Sequence, residues 1–287
     1  MKEINCEGNS VPIQEFDLST ISGNPAICMI AKRGSGKSYA CRTLLKHFRE
    51  IPGGVIIAKT DKMNCFYGKF FPDLYIHYEY KTELIEKILF RQQQMIEKCK
   101  QKYKKGKFCD PRAFILMDDC LSDKGSWAKD QPILELLFNG RHYQIMYILT
   151  MQYPLGISPE LRGNFDYIFL LGEDFVSNQK RLYDHYAGMF PDFKSFQQIF
   201  REITSDYGAM VIVNKGSKHN FLDKVFWYKA PLNDTTKKAI CSEQFNMMHE
   251  KNYNKDWKTF KPFNMQDFCK SKKGSKIAVS KLGKDNE

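Results

Sequence analysis

The run Ala31-Lys32-Arg33-Gly34-Ser35-Gly36-Lys37-Ser38 has the residue types and spacing that hold a nucleoside triphosphate. Glycines let successive backbone N–H groups converge on phosphate oxygens. A helix starting at the end of the loop adds the positive partial charge of its N-terminus. In such a loop Lys37 reaches the β- and γ-phosphates and Ser38 holds Mg2+, while Lys32, Arg33, Gly34, Ser35 and Gly36 form the cradle for ATP. The pattern GxxxxGK(S/T) departs at one place, where its first glycine is Ala31. Alanine is tolerable there if the backbone keeps φ below zero.

Two further groups suit the same chemistry. Phe114-Ile-Leu-Met-Asp118-Asp119 is an apolar run ending in acids. At the carboxyl edge of a parallel sheet, where ligands of α/β folds bind, Asp118 can hold Mg2+ through its water shell and Asp119 can polarise an attacking water. Read alone, they are ordinary acids at a strand exit, in a turn with Ser122, Asp123 and Gly125. Paired with the phosphate loop, they read as catalytic. Leu149-Thr150-Met151-Gln152 ends a second apolar run with an amide, which can orient a water by accepting one bond and donating another. Phosphoryl transfer also calls for a cation on the transferred phosphate. Arg33 lies within the loop and is expected to face outward. Arg141 and Arg162 are the two candidates for a finger supplied by a neighbouring subunit.

The elements that must position these groups are legible as short apolar runs alternating with helical periodicity. Strands are expected at residues 25–30, 53–58, 114–117, 145–149, 167–171, 209–213 and 225–228, the last two joined through Gly216. Helices are expected at 38–49, 82–105, 132–140, 178–187 and 194–203. In the long one, Leu84, Ile85, Ile88, Leu89, Ile96 and Cys99 fall near one face. The basic run at its end reads as a solvated helix terminus. This alternation predicts an α/β fold, a mostly parallel sheet with helices on both faces. Residues 1–14 form a lead-in and 15–250 the ATPase domain. Residues 251–287 are a basic tail, in which 270–287 is expected to be mobile.

The formal net charge is +11 and the apolar fraction 43%. The first favours acidic partners, nucleic acid before others, over an unspecialised basic surface. The second is ordinary for a chain that buries a full core. The nine cysteines contain no CxxC pair and no Cys/His cluster. They read as scattered thiols of a reducing compartment, not as a disulfide framework or zinc site. The N-terminal residues lack the apolar stretch of a signal peptide, and nothing approaches the ~18 uninterrupted apolar residues of a membrane helix. A soluble intracellular protein without membrane partners is expected.

The order of phosphate loop, intervening strand, Asp118-Asp119 and a strand ending in Gln152 resembles the FtsK–HerA superfamily of P-loop DNA motors (RecA-like, ASCE type). More closely, the chain resembles the packaging ATPases of nucleocytoplasmic large DNA viruses. The likeness runs through Lys59-Thr-Asp-Lys-Met-Asn-Cys-Phe-Tyr67, Asn139-Gly-Arg-His-Tyr143, Thr150-Met-Gln-Tyr-Pro154, Leu161-Arg-Gly-Asn-Phe-Asp-Tyr167 and Phe226-Trp-Tyr-Lys-Ala230, roughly residues 15–230. The resemblance implies that the Gln152 strand lies between the loop strand and the Asp118 strand. It implies an ATP-driven translocase of double-stranded DNA, packaging viral genomes into capsids in the host cytoplasm or associated with the virion. It further implies a homo-oligomeric ring of five or six subunits with ATP and Mg2+ at each boundary, and capsid or portal proteins as partners. The wider superfamily has Asp-Glu where this chain has Asp118-Asp119, a pair the viral branch tolerates. Two alternatives stay open: a HerA/FtsK-type translocase or helicase not dedicated to packaging, and a non-catalytic nucleotide-dependent DNA-binding scaffold. A small-molecule kinase would need an arginine-rich lid that has no clear counterpart.

Overall fold

The apolar runs expected as strands lack alternation because the sheet they form is covered on both faces. In the strand Ala26–Ile30, Ile27 and Met29 enter one core cluster, while Cys28 and Ile30 enter the other. The same division separates Phe114 and Leu116 from Ile115 and Met117. A strand buried on both sides has no polar face to show, so it reads as continuous hydrophobe.

The computed structural model describes residues 1–6, 9–120, 127–216, 220–233 and 239–257. In chain order these form β1 (Lys2–Cys6), β2 (Asn9–Ile13), β3 (Ala26–Ile30), α1 (Lys37–His47), β4 (Gly53–Ala58), α2 (Asp61–Asn64), β5 (Ile76–His77), α3 (Thr82–Lys104) and β6 (Ala113–Asp118). They continue as α4 (Gln131–Asn139), β7 (Ile145–Met151), α5 (Pro159–Arg162), β8 (Tyr167–Leu171), α6 (Val176–Tyr186), α7 (Phe193–Thr204), β9 (Gly208–Val213), β10 (Val225–Lys229) and α8 (Glu243–Asn252). The turn expected around Ser122, Asp123 and Gly125, and the tail at 270–287, lie outside the described residues.

The main sheet has the order β10-β9-β8-β3-β7-β6-β4-β5. Its pairings from β8 through β3, β7, β6 and β4 to β5 are parallel, while β9 and β10 are added antiparallel. The sheet is mostly parallel with helices on both faces, and β7 lies between β3 and β6, as expected from the sequence. β1 and β2 form a separate antiparallel hairpin where only a lead-in was expected. Its Ile4 and Ile13 are buried in the larger core cluster, and the Lys2 ammonium sits 4.9 Å over the Trp227 ring.

α3 buries Ile85, Ile88, Leu89 and Cys99, the face marked by periodicity. It also buries Gln92, which the apolar pattern did not mark. The Gln92 side-chain amide donates to the Pro111 carbonyl at 2.8 Å and the Tyr143 carbonyl at 2.9 Å. That single side chain satisfies two loop carbonyls ahead of β6 and β7.

The cysteines, expected as scattered thiols, include a disulfide. Cys99 and Cys109 form a disulfide, with Cα atoms 5.1 Å apart. Gly106, at φ +67, turns the chain back after α3 and returns Cys109 to the helix. Spacing rules built on CxxC pairs do not register a pairing made by such a reversal. Cys28 and Cys41, which flank the phosphate loop, are buried thiols, and burial pushes both well above the usual thiol pKa.

Candidate active site

The loop between β3 and α1 is shaped by its backbone. Gly34 and Gly36 hold φ of +80 and +96, a region that L side chains rarely adopt. Gly36 is the residue from which α1 starts. Ala31, in the place of the usual glycine, is not among the residues with positive φ. It is 1% exposed, and its N–H donates to the Met151 carbonyl at 2.9 Å. A methyl group is therefore accommodated at the start of the loop. The Ser35 hydroxyl donates to the Lys32 carbonyl at 2.6 Å, closing the loop on itself. Lys32 pairs with Asp174, and its ammonium lies 5.2 Å over the Phe175 ring. Arg33 is exposed at the rim.

Asp118 ends β6 directly beside Thr150 of β7. The Asp118 carboxylate is nearly enclosed and accepts from three sides. The Lys37 ammonium lies 3.1 Å from its Oδ1. The Thr150 hydroxyl donates to Oδ1 at 2.6 Å, and the Tyr67 hydroxyl donates to Oδ2 at 3.0 Å. Burial works against the charge of Lys37, but the Asp118 and Asp119 carboxylates outweigh it and raise its pKa above the ordinary lysine value. Lys37 therefore remains a cation at any physiological pH. Burial, then the neighbouring Cys41 and Asp118, push Tyr67 well above the usual phenol pKa, so it stays a donor.

Asp119 follows at φ 55, a left-handed conformation that aspartate tolerates better than most residues. Its backbone N–H donates to the Thr150 hydroxyl oxygen at 3.1 Å, and its carboxylate accepts from the Gln152 side-chain amide. Thr150 thus holds both acids: it donates to one side chain and accepts from the backbone of the other.

Asp118, Asp119 and Gln152 share one cavity of about 810 Å³ with Lys32, Arg33, Gly34, Gly36, Lys37 and Ser38. That volume lies within the range of small-molecule sites. Its far wall includes Thr60, Met63, Asn64 and Phe66, which follow β4. Phe66 packs edge-on against Tyr39 at 5.8 Å, and the Arg42 guanidinium covers Tyr39 at 4.7 Å. Tyr207 closes the cavity over Gly36, its backbone at φ 61. Ser38, which carries a hydroxyl, and Asp118, which carries a carboxylate, both line this space. Both are hard oxygen donors, of the kind Mg2+ takes in ones and twos while phosphate oxygens and waters complete its shell. The residues present fit that ion.

Arg141 and Arg162 do not line this cavity. Arg141 precedes β7, at the opposite end of that strand from Gln152. The seven residues of β7 span roughly 20 Å, so Arg141 does not serve the site of its own chain. It pairs with the buried Asp166 through one nitrogen, and its side chain is 60% exposed. Arg162 is buried. Its guanidinium donates to the Ile157 carbonyl at 3.1 and 2.9 Å and lies 5.4 Å over the Tyr186 ring.

Sequence reasoning assigned no role to Thr150 or Tyr67. The available signal for Thr150 was a hydroxyl near the end of an otherwise apolar run, level with Asp118 once the strands are aligned. Tyr67 was marked only as the end of a segment that carries the family resemblance, and no role could be read for it because its partner is 51 residues away. Thr150→Val keeps the shape but removes a donor from Asp118 and an acceptor from the Asp119 N–H. We expect it to destabilise the fold by about 1–3 kcal/mol, read as a lower denaturant midpoint at unchanged slope. An unchanged midpoint would show that the two bonds carry no weight.

A family model described as Poxvirus A32 protein matches residues 14–169. The chain is 49% identical over 249 residues to uncharacterized protein L437 of Acanthamoeba polyphaga mimivirus, covering 87% of each chain. It is 32% identical over 257 residues to uncharacterized protein 075L of Invertebrate iridescent virus 6, covering 88% of this chain and 94% of that one. The genome packaging NTPase B204 from Sulfolobus turreted icosahedral virus 2, in complex with sulfate, is similar in structure. The TM-score is 0.51 at 14% identity, over 73% of this chain and 98% of that one. At that identity the likeness is one of fold, and the shared fold is that of the P-loop NTPases. The chain belongs to the Poxvirus A32 protein family, the packaging ATPases of large DNA viruses whose motifs it resembles.

Proposed function

We propose that this protein is an ATP-hydrolysing translocase of double-stranded DNA that packages viral genomes into capsids. The observation that carries the reading is the convergence of Lys37, Ser38, Asp118, Asp119 and Gln152 on one cavity at the carboxyl edge of the sheet. Lys37 binds the β- and γ-phosphates, and Ser38 with Asp118 holds Mg2+. The ion, when bound, neutralises charge on the phosphates. Asp119 accepts a proton from the attacking water, and Gln152, bonded to Asp119, orients that water. Membership of the packaging-ATPase family supports the substrate and the task.

The chain works as a ring of five or six copies with ATP at each subunit boundary. Arg141 of the neighbour supplies the cation that faces the transferred phosphate. Its exposure favours it over Arg162, whose guanidinium is committed within its own chain. Capsid or portal proteins are the further partners, and the place of action is the assembly site in the infected cytoplasm. Among the described residues no helix is long and apolar enough to cross a membrane.

A steady-state assay with and without duplex DNA tests the reading. Hydrolysis is expected to require Mg2+ and to fall to background in Lys37→Ala and Asp118→Asn. Asp119→Asn should still bind ATP but turn over poorly. Parental rates in both Lys37→Ala and Asp118→Asn sink the site assignment.

The excess of Lys and Arg over Asp and Glu, 44 against 33, leads to an expectation for DNA. Binding should rest on phosphate contacts, so it should weaken steeply with salt and vary little with sequence. Titration of duplexes across a salt series measures this, and an affinity indifferent to salt removes the electrostatic account.

Subunit contact is tested by mixing two inactive variants. Lys37→Ala keeps its arginine and Arg141→Ala keeps its phosphate loop. A mixture should therefore recover part of the activity at shared boundaries. Fingers of this kind are worth roughly 10³–10⁵ in rate, so recovery stands well above either variant alone. No recovery in assembled mixed rings rules out Arg141 as the finger.

A further inference from the structure

The segment 59–67, between β4 and the helical turns that follow, plays no part in the chemistry above, yet it reaches the centre of the site. α2 is a single turn, ended by Cys65 at φ 48. That reversal sends consecutive side chains to different places. Phe66 faces the cavity wall, while Tyr67 turns beneath it into the core and is 2% exposed. The Tyr67 hydroxyl donates to Asp118 Oδ2. Its backbone N–H donates to Asp61 Oδ1 at 2.8 Å. Asp61 is itself 1% exposed, and its second oxygen is buried with no hydrogen-bond partner among the described residues. A buried carboxylate bonded through one oxygen is costly for a fold to keep. What this one does here is fix the backbone of Tyr67.

We propose that Tyr67, anchored by Asp61, is a positioning residue that sets the rotation of the Asp118 carboxylate for the metal. The inference rests on the reading of Asp118 as the Mg2+ acid. The terminal torsion of an aspartate is broad and roughly two-fold, so nothing intrinsic distinguishes its oxygens. Here they are distinguished by their partners. Oδ2 is tied down by Tyr67, and Oδ1 is left on the side of Lys37 and Thr150. Without the phenol, Oδ2 loses its donor and the carboxylate is held from the side of Lys37 and Thr150 alone, so the orientation that meets the metal shell becomes one of several. Outer-shell partners of this kind typically carry about 10–100-fold in metal affinity.

The test measures binding rather than turnover, with a fluorescent non-hydrolysable ATP analogue titrated in Mg2+ and in EDTA. The parent should bind more tightly with Mg2+. Tyr67→Phe removes one oxygen and keeps the ring, so cooperative melting should persist. It should lose about tenfold or more of the Mg2+-dependent gain, while its affinity in EDTA stays as in the parent. Tyr80→Phe, which removes a hydroxyl bound to Asp130 away from the cavity, should keep the full gain. In an Asp118→Asn background, Tyr67→Phe should cause no further loss. A full parental gain in Tyr67→Phe overturns the proposal, as does an undiminished effect in the Asp118→Asn background. Should Tyr67→Phe fail to fold, Asp61→Ala releases the same anchor without touching the cavity, and a full gain there overturns the proposal equally. Absence of any Mg2+ gain in the parent would instead refute the reading of Asp118, which separates the two failures.

Discussion

The carboxylate of Asp118 is 4% exposed, and an ionised group so placed persists only if it is paired and hydrogen-bonded. Its partners come from three separate parts of the chain: Lys37 from the start of α1, Thr150 from β7, and Tyr67 from the segment after β4. Only the strand order that puts β7 and β4 on either side of β6 brings them together. The dependence also runs the other way. Lys37 is disfavoured as a cation by its burial and is held charged by the two acids. Removing either member leaves the other's charge buried with its main counter-charge gone, which costs stability. The same residues therefore tie the core together and shape the site.

A second constraint lies in the backbone. The chain leaves β3 through Gly34 and Gly36 and leaves β6 through Asp119, all at positive φ. In the first case glycine makes the turn without steric cost, and the following helix starts where its N–H groups face the cavity. In the second no glycine is available, because the side chain is needed. Aspartate is among the few residues that occupy this region readily. The bond from its N–H to Thr150 and the bond from Gln152 to its carboxylate hold the turn in place. Strain of this kind clusters at functional sites, where surrounding contacts over-determine it.

Much of this was legible in the sequence, for identifiable reasons. The strands of the sheet centre are runs buried on both faces, and the phosphate loop sits between one of them and an amphipathic helix. Local pattern therefore located β3, β4, β6, β7 and β8, and with them Lys37, Asp118 and Gln152. What local pattern could not give depends on contacts made across the fold. Gln92 reads as a polar interruption on α3 until two loop carbonyls are seen beside it. The Cys99–Cys109 pair needs the reversal at Gly106. The hairpin of β1 and β2 has a proline in one short strand and few apolar residues, Ile4, Val11 and Ile13, to mark its buried side. Arg141 and Arg162 looked equivalent as letters. Burial separates them, because the Arg162 guanidinium is enclosed on a carbonyl of its own chain, whereas that of Arg141 is bonded to Asp166 through one nitrogen and stays exposed.

β7 links these observations. One end carries Thr150 and leads into Gln152, which together hold Asp118 and Asp119. Just before its other end lies Arg141, braced on Asp166, whose second oxygen accepts from the Ala26 N–H of β3 at 2.9 Å. A central strand flanked by β3 and β6 is a stiff element, since its backbone groups are paired on both edges. In the proposed ring, one end of β7 would face the nucleotide of its own subunit and the other end that of a neighbour. A displacement of β7 on hydrolysis would then move Arg141 without any hinge between them. Coupling of this form needs an element that both sites bias, and in the proposed ring β7, held between β3 and β6, would be such an element.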